Sequence, residues 1–357
     1  PIFLKKFDWV LVAIIAAILS LGLLTFYAMG PDSHGVLVRH AIFIAVGFAV
    51  MVAVMAFDYR IFKNHYAPAM ILYGIAILLL SLALASHEIR GSSAWLRFFG
   101  FQFEPSELAK LALLIVLAKY FSQKHIEIYR THHIIVSGVY VAIPLGLTFL
   151  QPDLGSVIVY VALWVAMLLF AGIKRRHLLA IGMLGVLAFS LGWLLVLKPY
   201  QKDRIVSFIN PYLDARETGY NTIQSQVTFG SGRWLGTYFT KRGDTTPVLV
   251  PEPYTDFTFA TFAQKFGFVG VLVLILLLVL LIARVGSIGL RANNNFAKLF
   301  SLGFLTIIVT HVMVNGGMNV GILPITGIPF PLLSHGGSHL VTIMTGFGIL
   351  QNISRRS

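Results

Sequence analysis

The residues best placed to do chemistry are carboxylates standing shortly after prolines. Pro105 is followed by Glu107, Pro152 by Asp153, and Pro253 by Asp256. In each case the chain then turns apolar, so the acid stands where a polar loop becomes a helix. Proline suits the first turn of a helix and not its interior. Asp256 is the sharpest of the three. It closes the stretch PEPYTD, and from Phe257 the chain stays apolar with few interruptions to Ala283. A carboxylate there can simply cap the helix and welcome its dipole, or it can act as a reactive group. Both readings stand at this point.

Other polar residues collect at comparable helix starts. Arg39 and His40 open one apolar run, and Lys110 follows Glu107 by three residues. Gln151 and Ser156 flank Asp153, and SHGGSH runs from Ser334 to His339. Helix N-termini with nearby arginine and lysine favour anions, so the set suits a phosphate or pyrophosphate group. Lys110 lies well inside an apolar run, where a lysine is costly and faces a cavity or a partner. Glu107 is on the same helical face, and the two form an ion pair or share a substrate. His335 and His339 have i,i+4 spacing, but Gly336 and Gly337 between them argue against a regular turn and against a metal site. Lys265 is nine positions after Asp256, about 13 Å deeper on the opposite face of an ideal helix, and is expected to meet another helix or to snorkel. Asn315 and Asn319, another i,i+4 pair, are expected to bond neighbouring helices.

The elements that position these groups are membrane helices. Of the 357 residues 57% are hydrophobic and only 11% charged, with mean hydropathy +0.83. A soluble chain would carry roughly twice that charge. There is no cysteine, which excludes disulfides, thiolate metal sites and a cysteine nucleophile. The net charge of +13 reads as membrane topology before nucleic acid, and no nucleic-acid partner is expected. The N-terminal apolar run is expected to be an anchor, not a cleaved signal. Apolar runs near 10–27, 36–57, 67–86, 105–121, 134–150, 154–172, 178–197, 257–283, 299–320 and 338–353 give about ten transmembrane helices. The fold class is therefore an all-α polytopic membrane protein, a single membrane domain over 1–357. Short loops rich in lysine and arginine (Lys5 and Lys6, Arg60 and Lys63, Lys174 to Arg176, Arg355 and Arg356) place both termini in the cytoplasm. The polar loop at about 198–254 is then extracytoplasmic, and long loops in compact proteins are usually functional. The stretch GSSAWLRFFGFQFE at 91–104 reads as an interfacial segment.

Together the motifs GSSAWLRFFGFQFEPSELAKLAL, QPDLGS, RIVSFINPYLDARETGYNTIQSQ, PEPYTDFTFATFAQKFGFVG and GILPITGIPFPLLSHGGSH resemble the SEDS family (shape, elongation, division and sporulation) of bacterial cell-wall proteins. They come in family order from Gly91 to His339, and the short N-terminal tail looks more like the RodA branch than the FtsW branch. The resemblance implies a ten-helix peptidoglycan glycosyltransferase that polymerises lipid II at the outer face of the cytoplasmic (inner) membrane, with a class B penicillin-binding protein as transpeptidase partner. It implies Asp256 as the essential aspartate. Candidate substrate contacts are Arg39, Arg97, Glu107, Lys110, Asp153, Arg204, Gln224 and Ser338. A divalent cation, Mg or Mn, is a candidate cofactor with its ligands unassigned. Two departures stand out: the family usually has acids where Gln264 and Lys265 stand, and often an aromatic where His335 stands. A competing reading is a transporter that flips a lipid-linked sugar, which needs access from both faces. A third is a scaffold for cell-wall enzymes, which would make Asp256 dispensable.

Overall fold

The computed structural model describes residues 7–86, 94–98, 101–124, 131–195, 199–214, 219–240 and 250–356. Long helices lie where the apolar runs predict them: α1 (Trp9–Ala28), α2 (His34–Ala56), α4 (Ala67–Leu84), α5 (Pro105–Lys124), α6 (Thr131–Leu150), α7 (Leu154–Ala171), α8 (Arg175–Leu195), α12 (Thr258–Arg291), α13 (Asn295–Val320) and α14 (Gly337–Arg356). Between them sit short helices α3 (Arg60–Asn64), α9 (Pro199–Ile209), α10 (Tyr220–Ser231) and α11 (Gly236–Thr240). Eight of these helices are long and apolar enough to cross a bilayer, so the chain is a polytopic all-α membrane protein. The two long helices outside that set are α5 and α14, which carry Glu107, Lys110 and His339. Nearly every residue of α5 from Ala109 to Ala118 is buried, packed by α4, α6, α7, α13 and α14. A helix enclosed by others meets protein in place of lipid, so it tolerates Glu107 and Lys110 where a lipid-facing helix would not. α8 is the opposite case: Leu179, Met183, Val186 and Leu194 are all exposed, as suits a helix facing lipid.

The segment expected to lie at the interface contains a short pair of strands. β1 (Leu96–Phe98) pairs antiparallel with β2 (Phe101–Phe103), Arg97 opposite Gln102. The two chain ends meet at the far end of the bundle. The Asp8 backbone exchanges hydrogen bonds with the Gln351 side chain at 3.0 and 3.1 Å, and the Asp8 carboxylate caps α1 while pairing with Arg284 at 2.9 Å. α12 runs eight residues beyond the predicted stop at Ala283. Arg284 ends the apolar run without breaking the helix, because arginine is a good helix former.

α12 is also bent. Gly267 has φ 65 and ψ −167, a conformation open to glycine and closed to side chains. The bend opens the hydrogen-bond ladder, and the freed amides of Phe268 and Val269 donate to the carbonyls of Arg233 (2.8 Å) and Trp234 (3.1 Å). So α10 and α11 do not stay at the surface. They descend along α12, with Gly232 against Ala263 and Gly236 against Lys265, about 8 to 10 Å below the start of the helix. These described parts of the long loop are docked helices.

Candidate active site

A cavity of about 660 Å³ opens at the end of the bundle where α5, α7, α12 and α14 begin. Its walls include Arg39 of α2, Trp95 and Gln102 of the hairpin segment, Glu104, Asp153, Glu252, Tyr254, Asp256, His335, Ser338 and His339. Arg39, Asp153, Asp256 and Ser338, singled out from the sequence far apart in the chain, therefore share one space.

The structure corrects the cap reading of Asp256. The residue capping α12 is Phe257, which offers no side-chain bond. The amide of Ala260 in the first turn is satisfied by Asn319 Oδ1 at 3.0 Å, a cap supplied by α13. Asn319 Nδ2 also donates to the Asp256 carbonyl at 3.0 Å, as does Asn315 Nδ2 at 3.0 Å. Asn315 also holds the Ile328 carbonyl at 2.7 Å. From the other side, Ser334 Oγ donates to the Thr255 carbonyl at 2.7 Å and the His335 amide to the Tyr254 carbonyl at 2.8 Å. The backbone around Asp256 is thus clamped from both sides, and its carboxylate is not spent on capping. Gly327, with φ 79, lies beside it: a Cβ there would sit 3.7 Å from Asp256 Oδ2. The asparagine pair bonds a neighbouring helix as expected, and what it bonds is the loop that carries Asp256.

Below the cavity is a closed polar network. Lys110 Nζ meets Glu107 Oε1 at 2.8 Å and His311 Nε2 at 3.4 Å. His339 Nδ1 meets Glu107 Oε2 at 3.0 Å, and the His311 and His339 rings lie tilted by 30° with centroids 4.6 Å apart. Glu107 and Lys110 are only 2% and 1% exposed. Desolvated charges survive there because each has an opposite charge and further hydrogen bonds. Glu107, His311 and His339 lie close enough to hold a metal, but the ammonium of Lys110 already supplies the cation among them. The i,i+3 pair read from the sequence is real, and it lies under the substrate space. His339 alone of the network reaches the cavity wall.

Two groups of the cavity wall outside the helices have shifted protonation. Burial, with Glu107 and Asp153 nearby, pushes Glu104 up to about 8. Ser106 Oγ donates to it at 2.7 Å. Burial and the Arg39 guanidinium hold His335 below the usual histidine range.

The other expected residues are placed as follows. Asp153 Oδ1 caps α7 through the Ser156 amide at 3.0 Å, while its Oδ2 is buried with no hydrogen-bond partner among the described residues. Ser338 Oγ accepts from the Glu104 amide at 3.0 Å and so ties the hairpin to α14. Gln224 stands on α10, away from the cavity lining. Arg97 lies on β1 and Arg204 on α9, and the side chains of both fall outside the described residues. Lys265 is buried under α11, 2% exposed. Glu104, Tyr254 and His311 were passed over in the sequence. Glu104 directly precedes Pro105, the same proline-and-acid pattern in reverse, and could have been found by it.

The chain is a polytopic membrane protein whose helical bundle gathers Arg39, Asp153 and Asp256 around one cavity. Residues 4–357 match the family model of FtsW, RodA and SpoVE, described as cell cycle protein, and the chain belongs to this family. It is 32% identical to peptidoglycan glycosyltransferase MrdB of Escherichia coli K12, over 97% of this chain and 93% of that protein. It is 29% identical to the probable peptidoglycan glycosyltransferase FtsW of Geobacter metallireducens, over 99% and 96%. Among solved structures it resembles a chain from a peptidoglycan synthase complex that coordinates polymerisation and crosslinking, with TM-score 0.85, 31% identity and 98% of both chains covered. It also resembles the rod shape determining protein RodA of Thermus thermophilus, with TM-score 0.73, 30% identity and coverage of 98% and 97%.

Proposed function

We propose that this chain is a peptidoglycan glycosyltransferase that polymerises lipid II at the outer face of the bacterial cytoplasmic membrane during cell elongation. The observation that carries the reading is the placement of Asp256, its backbone held by Asn315 and Asn319, in a cavity that also holds Arg39. Joining a sugar hydroxyl to a sugar pyrophosphate needs one base, because the pyrophosphate leaves without a proton. The acceptor oxygen attacks the anomeric carbon from the face opposite the pyrophosphate. Asp256 takes the hydroxyl proton, the bond to the pyrophosphate oxygen breaks, and the undecaprenyl pyrophosphate departs with the electron pair. The configuration inverts in this single displacement. A glycosidase would need a second carboxyl group.

Arg39 offers a planar fork to the departing phosphates, and the N-termini of α5, α7 and α14 face the same space. A divalent cation would be held through one or two carboxylates and the substrate phosphates: Asp153, Glu252 and Asp256 line the cavity, Asp153 Oδ2 has no hydrogen-bond partner among the described residues, and carboxylate oxygens suit Mg or Mn. When bound, the cation would neutralise charge on the leaving pyrophosphate.

With both termini cytoplasmic, the cavity faces outward. The Glu107–Lys110 network and the apolar core around Leu114 and Phe304 close its floor, which favours a transferase over a flippase. A class B penicillin-binding protein is the proposed crosslinking partner. Purified protein incubated with lipid II tests the reading: a ladder of glycan polymer is expected, and its absence from protein that is folded and supplied with Mg or Mn would sink the proposal.

A further inference from the structure

At the end of the bundle opposite the catalytic cavity lies a second space, about 260 Å³, lined by Arg284, Ser287, Ile288, Arg291 and Ser354. We propose that it binds the phosphate of an anionic lipid headgroup.

The position fits a headgroup. Arg284 is the first charged residue after the apolar run 268–283 and lies 17 residues beyond the Gly267 bend, about 26 Å along an ideal helix, close to the roughly 30 Å thickness of the hydrocarbon core. The cavity therefore sits where α12 leaves the apolar layer. The donors fit a phosphate. Arg284, Ser287, Ile288 and Arg291 have i, i+3, i+4, i+7 spacing, one face of the helix. Arg284 Nε is held by the Asp8 carboxylate at 3.2 and 2.9 Å. That carboxylate is buried, so the guanidinium is fixed in direction with its terminal nitrogens still to spend. Arg291 pairs with no carboxylate among the described residues. Ser287 already donates to the Arg284 carbonyl at 2.8 Å and serves as wall. Ser354 of α14 adds a hydroxyl from the facing helix. Two guanidinium forks and a hydroxyl around one space match phosphate oxygens.

The same face shows why the phosphate belongs to a lipid. Continuing the stripe back along α12, the spacing passes through Leu280, Leu276 and Val273, all exposed at 45%, 59% and 46%. An acyl chain lying on that stripe places its headgroup in the cavity. The site is independent of the glycosyltransferase reading and is tested without activity.

The test is thermal unfolding in a neutral detergent, titrated separately with dioleoyl phosphatidylglycerol, dioleoyl phosphatidylcholine and inorganic phosphate. Phosphatidylglycerol is expected to raise Tm saturably, with the other two far weaker. Arg291→Gln and Ser354→Ala should each weaken the phosphatidylglycerol midpoint, the arginine change by about tenfold. Lys298→Gln, a cation lost at the same end outside the cavity, should leave it unchanged. An equal loss in Lys298→Gln would show only general attraction to a basic surface and overturn the site. So would an unchanged midpoint in Arg291→Gln. Equal protection by inorganic phosphate would overturn the lipid in favour of a free phosphate.

Discussion

Asn319 Nδ2 donates to the Asp256 carbonyl at 3.0 Å while Asn319 Oδ1 accepts from the Ala260 amide at 3.0 Å. One side chain of α13 thus caps α12 and anchors the residue proposed as base. Asn319→Asp keeps the acceptor for Ala260 but loses the donor to Asp256. Its expected effect is a fall in kcat at nearly constant KM, with a stability loss of about 1–2 kcal/mol. Asn319→Ala loses both bonds and should unfold at lower temperature still. Equal kcat in Asn319→Asp and wild type, measured on lipid II, would show that the anchor does not matter for turnover.

Asp256→Asn is expected to abolish polymerisation without loosening α12. The amide is nearly isosteric and cannot accept the hydroxyl proton. Because the cap of α12 is Asn319, the unfolding free energy should stay within about 0.5 kcal/mol of wild type. Polymer at wild-type yield from this variant would rule the base role out and revive the scaffold reading.

How much of this was legible in the sequence depended on distance along the chain. The long helices could be read because a hydrophobic span is a local property of about 20 residues. The Glu107–Lys110 pair could be read because three residues bring two side chains to one helical face. The Asn319 cap could not, since it joins residues 59 apart on different helices. Nor could the descent of α10 and α11, which rests on the Gly267 bend and its two freed amides meeting the carbonyls of Arg233 and Trp234. Asp256 was placed correctly at a helix mouth. Its local signal was that of a capping residue, and only the third dimension separates a cap from a neighbour of a cap.

Glu107, Lys110 and His339 should behave as a unit. Removing one partner leaves a buried charge unmatched, at a cost of about 3–5 kcal/mol, so Lys110→Met and Glu107→Gln should each destabilise strongly. The double variant should be far less damaged than the sum, giving a coupling of about 1–3 kcal/mol. The measurement is a double-mutant cycle on thermal unfolding in detergent. Additive effects would mean that the pair is not coupled.

Glu104 gives the fold a pH dependence of known sign. Its carboxyl is pushed up to about 8 in the folded protein from 4.5, so the folded state keeps a proton that the unfolded chain releases. Where the unfolded state binds fewer protons, stability falls as pH rises. The contribution of Glu104 is full below about 4.5 and is lost as pH climbs through about 8. Glu104→Gln removes this slope and keeps an amide that can accept from Ser106. The Tm of wild type relative to this variant should decline between pH 5 and pH 8 and level off above; parallel curves would assign Glu104 an ordinary carboxylate.

Arg39 and Arg204 are the arginines proposed to bind the pyrophosphate, and charge-conserving variants separate that role from attraction to lipid headgroups. Arg39 lines the cavity itself, with its Nε donating to the Gly35 carbonyl at 3.1 Å, which leaves the terminal nitrogens for a ligand. Arg204 stands on α9, in the segment leading from α8 towards α10. A lysine keeps the charge but cannot copy a planar two-point contact. Arg39→Lys should therefore insert normally and raise the KM for lipid II by about tenfold, the cost of losing one charge-assisted bond. Arg204→Lys should show the same direction if its side chain reaches the cavity. An arginine that only meets headgroups would be replaced by lysine without effect on the lipid II concentration dependence. If Arg39→Lys also polymerises with wild-type KM, the pyrophosphate does not bind at the Arg39 wall, and its charge must be met by the divalent cation and the helix N-termini of α5, α7 and α14 alone.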